Sequence, residues 1–272
     1  MSSVYPMKPA SVSLRADALR VFKRLEGWRV CRSALVGSLG FVPTMGALHA
    51  GHGSLIERSV AENDYTVLSI YLNPTQFNNP EDLDCYPKTL ERDLEMARTL
   101  GADFVITPTF EQMYADGFRF QVDETQFSTE LCGEHRAGHF TGVLTVVMKL
   151  LNLTRADRAY FGEKDYQQYL LIRDMGDAFF MDVDIVPCAT VREGDGLAMS
   201  SRNENLDAAG RVKAGILNDL IRSPLDDEAV AEALTEAGFE VDYVLSREGR
   251  RFAAASLTCG DRVVRLIDNT AR

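Results

Sequence analysis

No apolar run in this sequence approaches the roughly 18 residues that cross a bilayer as a helix. The amino-terminal stretch Met1-Ser-Ser-Val-Tyr-Pro-Met-Lys-Pro9 lacks the basic segment and apolar core of a targeting leader. A soluble, untargeted, cytoplasmic protein with no membrane partner is the expectation. Cys-x-x-Cys spacing is missing as well. The five cysteines, at 31, 85, 132, 188 and 259, are odd in number and scattered, which argues against a zinc ribbon or a disulfide framework and for reduced thiols. No basic stripe exists either: 29 Lys and Arg face 40 Asp and Glu, a net charge of −11. Such a surface cannot displace the counterions of a nucleic-acid backbone, so nucleic acid is excluded as a partner. A small anionic substrate would need local cations, and a bound metal ion, to offset that field. Internal repeats and low-complexity tracts are absent.

What is present is a regular alternation. At 272 residues the chain can bury roughly 75% of its unfolded surface, enough for a conventional core. Residues 13–25 read as an amphipathic helix and 36–42 as a buried, Gly-punctuated strand. Pro43, Gly46, Gly51 and Gly53 mark a turn, and residues 54–63 carry apolar positions at helical intervals. Tyr65-Thr-Val-Leu-Ser-Ile-Tyr-Leu72 reads as a second strand, 89–100 as a helix, and 104–106 as a third strand stopped by Pro108. A buried helix over 142–153, a strand over 158–161, a helix over 166–175 and a strand over 183–186 ended by Pro187 follow. This order predicts an α/β fold with a doubly wound parallel sheet whose ligands bind off the carboxyl ends of its strands. After Arg202 the pattern changes to helices over 208–221 and 227–237 and strands near 241–245 and 263–267. We divide the chain into residues 1–189, carrying the parallel sheet, and a small α+β domain over 190–272.

The chemistry-bearing residues gather at the strand ends. His49 and His52 flank Gly51 between the first strand and its helix, where unpaired N–H groups and the helix dipole favour an anion. Two imidazoles add donors, and Gly51 lets a base or phosphate approach the backbone. Lys164 and Asp165 follow a strand and precede a helix, so the ammonium can reach a phosphate while Asp165 takes a ribose or orients the lysine. The remaining histidines lie at 135 and 139. A zinc site built from all four, in a metal-dependent hydrolase, is the rival reading, although carboxylate or cysteine support in close register is missing.

Pro43-Thr-Met-Gly-Ala-Leu-His-Ala-Gly-His52 resembles the His-x-Gly-His signature of the nucleotidyltransferase superfamily, and in its full length the pantothenate synthetase (pantoate–β-alanine ligase) family. Asn73-Pro-Thr-Gln-Phe77, Arg136-Ala-Gly-His-Phe-Thr-Gly142, Phe161-Gly-Glu-Lys-Asp-Tyr-Gln-Gln168 and Met199-Ser-Ser-Arg202 resemble further strings of that family in the same order. The likeness is strong over about residues 36–205 and weaker beyond. Another His-x-Gly-His enzyme transferring a cytidylyl or adenylyl group is the alternative, but it would lack the paired Gln76 and Gln168 and the Met-Ser-Ser-Arg string. The chain departs from the family at Gly53, where a larger apolar residue is usual, at Ala137, at Pro187, two residues earlier than the usual Pro-Thr pair, and around residues 221–227, which look clipped.

The resemblance implies a Rossmann-like nucleotidyltransferase fold and an ATP-dependent condensation of (R)-pantoate with β-alanine through pantoyl adenylate, releasing pyrophosphate and then AMP. It places ATP against Met45, Gly46, Ala47, Leu48, His49, Gly51 and His52. From the second strong motif it adds Gly162, Glu163, Lys164 and Asp165. From the segment after residue 190 it adds Val191 and the mobile loop Met199, Ser200, Ser201 and Arg202. His49, His52 and Lys164 carry the catalytic charge stabilisation, Gln76 and Gln168 hold pantoate, and Asn73 helps position the amine. Mg²⁺ accompanies the phosphates, with Asp93 a candidate to organise the phosphates through Mg²⁺ or water. The family also implies a homodimer.

Overall fold

The computed structural model describes residues 18–272. Six strands form one parallel sheet: β1 (Arg20–Phe22), β2 (Leu39–Thr44), β3 (Tyr65–Ile70), β4 (Phe104–Ile106), β5 (Arg158–Gly162) and β6 (Asp184–Cys188), in the order β1-β4-β3-β2-β5-β6. The helices are α1 (Leu25–Ala34), α2 (Ala50–Glu62), α3 (Pro80–Asp84), α4 (Leu90–Thr99), α5 (Phe110–Met113), α6 (Cys132–His135), α7 (His139–Thr154), α8 (Tyr166–Ala178), α9 (Ala208–Arg222) and α10 (Asp227–Glu236).

Side-chain alternation along the strands explains why helices cover both faces. Leu39 and Phe41 of β2, Tyr65 and Val67 of β3, Phe104 and Ile106 of β4, and Ala159 and Phe161 of β5 enter one core with α1, α7 and α8. Val42, Leu68, Val105 and Tyr160, one residue out of phase, enter the opposite core with α2 and α4. The chain winds from β2 outward through β3 to β4, then returns to place β5 on the other side of β2. The gap between the carboxyl ends of β2 and β5 is therefore the topological switch point, where such sheets bind ligands.

Beyond β6, strands β7 (Glu240–Arg247), β8 (Arg250–Cys259) and β9 (Arg262–Ala271) form an antiparallel sheet in that order. Its core, with Ala214, Leu217 and Ile221 of α9 and Val230 and Leu234 of α10, is separate from the other two. Glu248 and Gly249 join β7 to β8 with positive φ at both positions (51° and 73°), the backbone that matches strand twist in a two-residue hairpin.

Several expectations need correction. Residues 13–17 of the first expected helix lie outside the described residues; residues 20–22 form an edge strand beside β4, and the helix starts only at Leu25. Helix α2 begins at Ala50, so Gly51 and Gly53 sit inside it rather than in the turn. Pro187 does not end β6 but lies within it, opposite Phe161. At this sheet edge no ladder hydrogen bond is lost to the ring, and the Pro187 carbonyl accepts from Arg58. Strand β8, the centre of the second sheet, had not been anticipated. Residues 221–227 are compact because Arg251, fully buried, donates to the carbonyls of Ile221, Ser223 and Leu225 and to Asp227 Oδ1.

Candidate active site

A turn built by a buried carboxylate sets the position of the first histidine. Gly46 and Ala47 both take left-handed backbone, φ 85° and 52°. Asp93, 1% exposed, accepts the Ala47 N–H at 3.0 Å and the Leu48 N–H at 2.8 Å, with Thr89 Oγ1 at 3.1 Å. Gly46 N–H donates to Thr44 Oγ1. The backbone donors of Gly46, Ala47 and Leu48 are thus spent inside the protein, and these three residues do not line the cavity at the strand ends, although Met45 does. Asp93 likewise faces the turn, so its role is to shape it rather than to meet a metal ion or phosphate.

His49 is the N-cap of α2. Its Nδ1 accepts the Gly51 N–H at 3.1 Å, while the His49 N–H donates to His52 Nδ1 at 3.4 Å. The rings lie 4.2 Å apart between centroids. A Cβ on Gly51 would meet His49 Cε1 at 2.8 Å, so this glycine admits the folded-back imidazole rather than a base. Burial, then the positive Lys164, pulls the His49 pKa down to about 4; burial, then His49 and Lys164, pulls His52 down to about 3. Both rings are neutral near pH 7. With both Nδ1 atoms accepting, each carries its proton on Nε2.

A cavity of about 230 Å³ opens at the switch point. It brings together His49, His52, Gly51 and Met45 after β2, Asn73 and Gln76 after β3, Gly162 at the end of β5 with Lys164, Asp165 and Gln168 after it, and Val191 and Met199 to Arg202 after β6. Glu163 is not among its lining residues; its carbonyl and that of Lys164 accept from Asn269 Nδ2 of β9, at 2.8 and 2.9 Å. Lys164 Nζ lies 3.8 Å from Asp165 Oδ1. Arg202 pairs with Asp82 of α3 at 2.7 Å, and Ser201 Oγ donates to the buried Tyr86 hydroxyl at 3.1 Å, which tie the loop across the cavity.

Asn73 lines the cavity but is 1% exposed and internally bonded. Its Nδ2 donates to Gln76 Oε1 at 3.0 Å and its Oδ1 accepts from Tyr114 at 2.8 Å and Thr75 at 3.0 Å. It fixes the Gln76 side chain rather than reaching for an amine. That pairing leaves the Gln76 NH₂ as its donor toward the cavity.

The expected site residues left out Arg136. It lines this cavity, and with Lys164, Asp165, Ser200 and Arg202 also lines an adjoining one of about 560 Å³ that reaches β9. Burial, then Arg202, lowers its pKa to about 10, so it stays charged. His139 Nδ1 donates to the Gln76 carbonyl at 2.8 Å and its Nε2 accepts from Arg136 at 3.0 Å. The only sequence signal for Arg136 was its place in the Arg-Ala-Gly-His string. With both nitrogens of His139 engaged and His135 on the larger cavity, the four histidines do not converge. Among the described residues no group of three or more His, Cys, Asp or Glu is arranged for a metal ion.

A family model described as pantoate-beta-alanine ligase matches residues 18–271. The chain belongs to the pantoate–β-alanine ligase family. It is 49% identical over 253 residues to a pantothenate synthetase of Legionella pneumophila (strain Lens), covering 92% of this chain and 99% of that one. It is 50% identical over 253 residues to that of Bdellovibrio bacteriovorus, covering 93% and 98%. A solved pantoate-beta-alanine ligase from Francisella tularensis, complexed with beta-gamma ATP and beta-alanine, superposes with a TM-score of 0.87 at 38% identity, covering 93% of this chain and 98% of that one. A solved pantothenate synthetase from Thermus thermophilus gives 0.83 at 37% identity, covering 93% and 99%. The protein is therefore an enzyme, an acid–amine ligase joining pantoate to β-alanine. Transfer of a cytidylyl or adenylyl group to another acceptor, and hydrolysis at a histidine metal cluster, are not favoured.

Proposed function

We propose that the 230 Å³ cavity activates pantoate with ATP and then couples it to β-alanine, with each role carried by the residues placed above. The carboxylate of pantoate attacks the α-phosphorus of ATP in line, forming the acyl–phosphate bond as the bond to pyrophosphate breaks. The amine of β-alanine then attacks the acyl carbon, expelling AMP and giving up a proton. Neither step needs a protein nucleophile. The first needs charge stabilisation on the α-phosphate oxygens and the departing pyrophosphate, by donors already in place.

The observation that carries this reading is the pair of neutral imidazoles whose Nδ1 atoms are taken by backbone N–H groups and whose Nε2–H groups have no partner among the described residues, in the same cavity as Lys164. Neutral donors bind phosphate oxygens without competing for the carboxylate of the acid. Lys164, Arg202 and Arg136 supply positive charge, Ser200 and Ser201 supply hydroxyls, and Gln76 and Gln168 hold pantoate. Mg²⁺ bound with the nucleotide would supply further charge neutralisation at the phosphates, and no group of three or more His, Cys, Asp or Glu among the described residues is arranged to hold it without the nucleotide.

Three further assignments belong to the same proposal. Residues 190–272 act as a lid domain over the site formed by residues 1–189, the Met199–Arg202 segment closing with it. The enzyme is a cytoplasmic homodimer, a state light scattering would report as twice the chain mass. The reaction is tested by AMP release from ATP and pantoate, with and without β-alanine. Dependence on both acids supports the assignment, and AMP release that ignores either one refutes it.

A further inference from the structure

The roles given above leave Asp82 unused, although it holds one of the residues assigned to the phosphates. The segment after Gln76 grips the Met199–Arg202 loop and its continuation at three points. Asp82 of α3 pairs with Arg202 at 2.7 Å, Ser201 Oγ donates to the Tyr86 hydroxyl at 3.1 Å, and Arg92 of α4 lies 3.7 Å from Glu204. Arg202 borders both the 230 Å³ cavity and its 560 Å³ neighbour, whereas Asp82 borders only the larger one, so the carboxylate reaches the guanidinium from outside the smaller. It engages Nη2 alone; Nε and Nη1 of Arg202 have no hydrogen-bond partner among the described residues. A guanidinium carries five donors in a rigid fork, so a carboxylate on one nitrogen leaves the others set for a second anion.

Opposed charges decide where that fork stands. Arg136, whose pKa is lowered by burial and then by Arg202, repels the second guanidinium across the mouth. Asp82 opposes that push: burial lowers the Arg202 pKa, and the hydrogen bond and charge of Asp82 lead the influences that more than offset it. With side chains 27% and 34% exposed, Arg202 and Asp82 form a pair that adds little to the stability of the fold. What it fixes is the place of the guanidinium. We propose that Asp82 is a positioning residue for adenylate formation, holding Arg202 by one nitrogen at the cavity mouth so that its remaining donors meet the triphosphate in place. This rests on the assignment of Arg202 to the ATP phosphates made under Proposed function. A donor fixed beforehand costs no reorganisation as charge develops, whereas a free arginine must first be ordered.

The test is a double-mutant cycle on the whole chain, with Asp82→Ala, Arg202→Ala and the two combined, reading kcat/KM for ATP from AMP release at saturating pantoate and β-alanine. Asp82→Ala is expected to lower it roughly tenfold in wild type but by less than about twofold beside Arg202→Ala, since an aspartate acting through one arginine then has nothing to position. Asp82→Asn, which keeps the shape and loses the charge, should fall with the alanine variant, and Asp82→Glu should recover part of the loss. The KM for β-alanine should hold throughout. Equal fractional losses with and without Arg202 overturn the proposal by giving Asp82 a structural role in α3. So does a lower melting temperature in Asp82→Asn with all three substrates affected alike. A lower KM for ATP in Asp82→Asn also overturns it, by making Asp82 a competitor of the phosphates for Arg202. If Arg202→Ala itself leaves kcat/KM for ATP unchanged, the phosphate assignment of Arg202 fails and this inference with it. If Arg202→Ala is impaired and Asp82→Ala is not, the inference alone fails.

Discussion

At the scale of single residues, hydrogen bonds to the backbone decide what the two histidines can do. His52 Nδ1 is taken by the His49 N–H, so a ligand meets only Nε2–H. Removing one preorganised donor of this kind costs on the order of 3 kcal/mol in the transition state. His52→Ala should therefore slow AMP release by roughly a hundredfold with its circular dichroism unchanged; wild-type turnover would contradict the role. The pKa values of about 4 and about 3 for His49 and His52, joined by about 3 for the buried His139, also set the acid behaviour. Between the ordinary histidine value of 6.5 and these folded values the unfolded chain binds more protons, so stability is lost as pH falls through that window and kept above it. Thermal melts should show the decline starting below about pH 6.5; a midpoint independent of pH from 7 down to about 4 would contradict the neutral burial of these rings. Asp93 shows where residue-level reading stops. Its carboxylate among the catalytic strings suggested a metal or phosphate role, whereas its partners are two backbone N–H groups 45 and 46 positions away, and no local pattern encodes such a contact. Asp93→Ala would orphan both donors and lower stability by about 3 kcal/mol, seen as a lower urea midpoint; an unchanged midpoint would contradict its structural role.

At the scale of elements, close backbone approach positions Gln76, which we propose holds pantoate. Gly142 on α7 packs against the turn after β3: a Cβ there would lie 2.4 Å from the Thr75 carbonyl oxygen and 2.8 Å from Gln76 Cα. Gly142→Ala should displace Gln76 and raise the KM for pantoate by about tenfold or more, leaving the KM for ATP nearly unchanged. Equal changes for both substrates, or none, would contradict this placement. The parallel strands were legible because fully buried strands are continuous apolar runs bounded by Gly and Pro, as at residues 65–72 and 104–106. Strand β8 was not: Ala253, Ala254 and Ala255 have weak strand propensity and become a strand only between β7 and β9, against α9. Residues 20–22 failed for the same reason, since their pairing with β4 is long-range. A Cβ on Gly53 would lie 3.4 Å from Leu100, ordinary contact, so the space beside α4 admits a larger residue at this position. Glycine there leaves the α2–α4 contact looser without stopping the helix.

At the scale of the molecule, the antiparallel sheet is fastened to the catalytic one through β9. Asn269 holds the carbonyls of Glu163 and Lys164, while Asp268, 3% exposed at its side chain, pairs at 2.6 Å with Arg192 of the segment that follows β6. The orientation of Lys164 therefore depends on a strand more than a hundred residues away. Asn269→Ala should weaken ATP binding severalfold in calorimetry while far-ultraviolet circular dichroism is retained; unaltered affinity would uncouple the second sheet from the site. The motifs made the strand-end residues recognisable, but not this fastening, because it joins segments that share no sequence pattern. The central claim, that one cavity forms an acyl adenylate before the amine is needed, meets its most direct test in exchange of labelled pyrophosphate into ATP without β-alanine. The account predicts exchange that requires pantoate and is abolished in Lys164→Ala. Exchange without pantoate, or none until β-alanine is added, would contradict it.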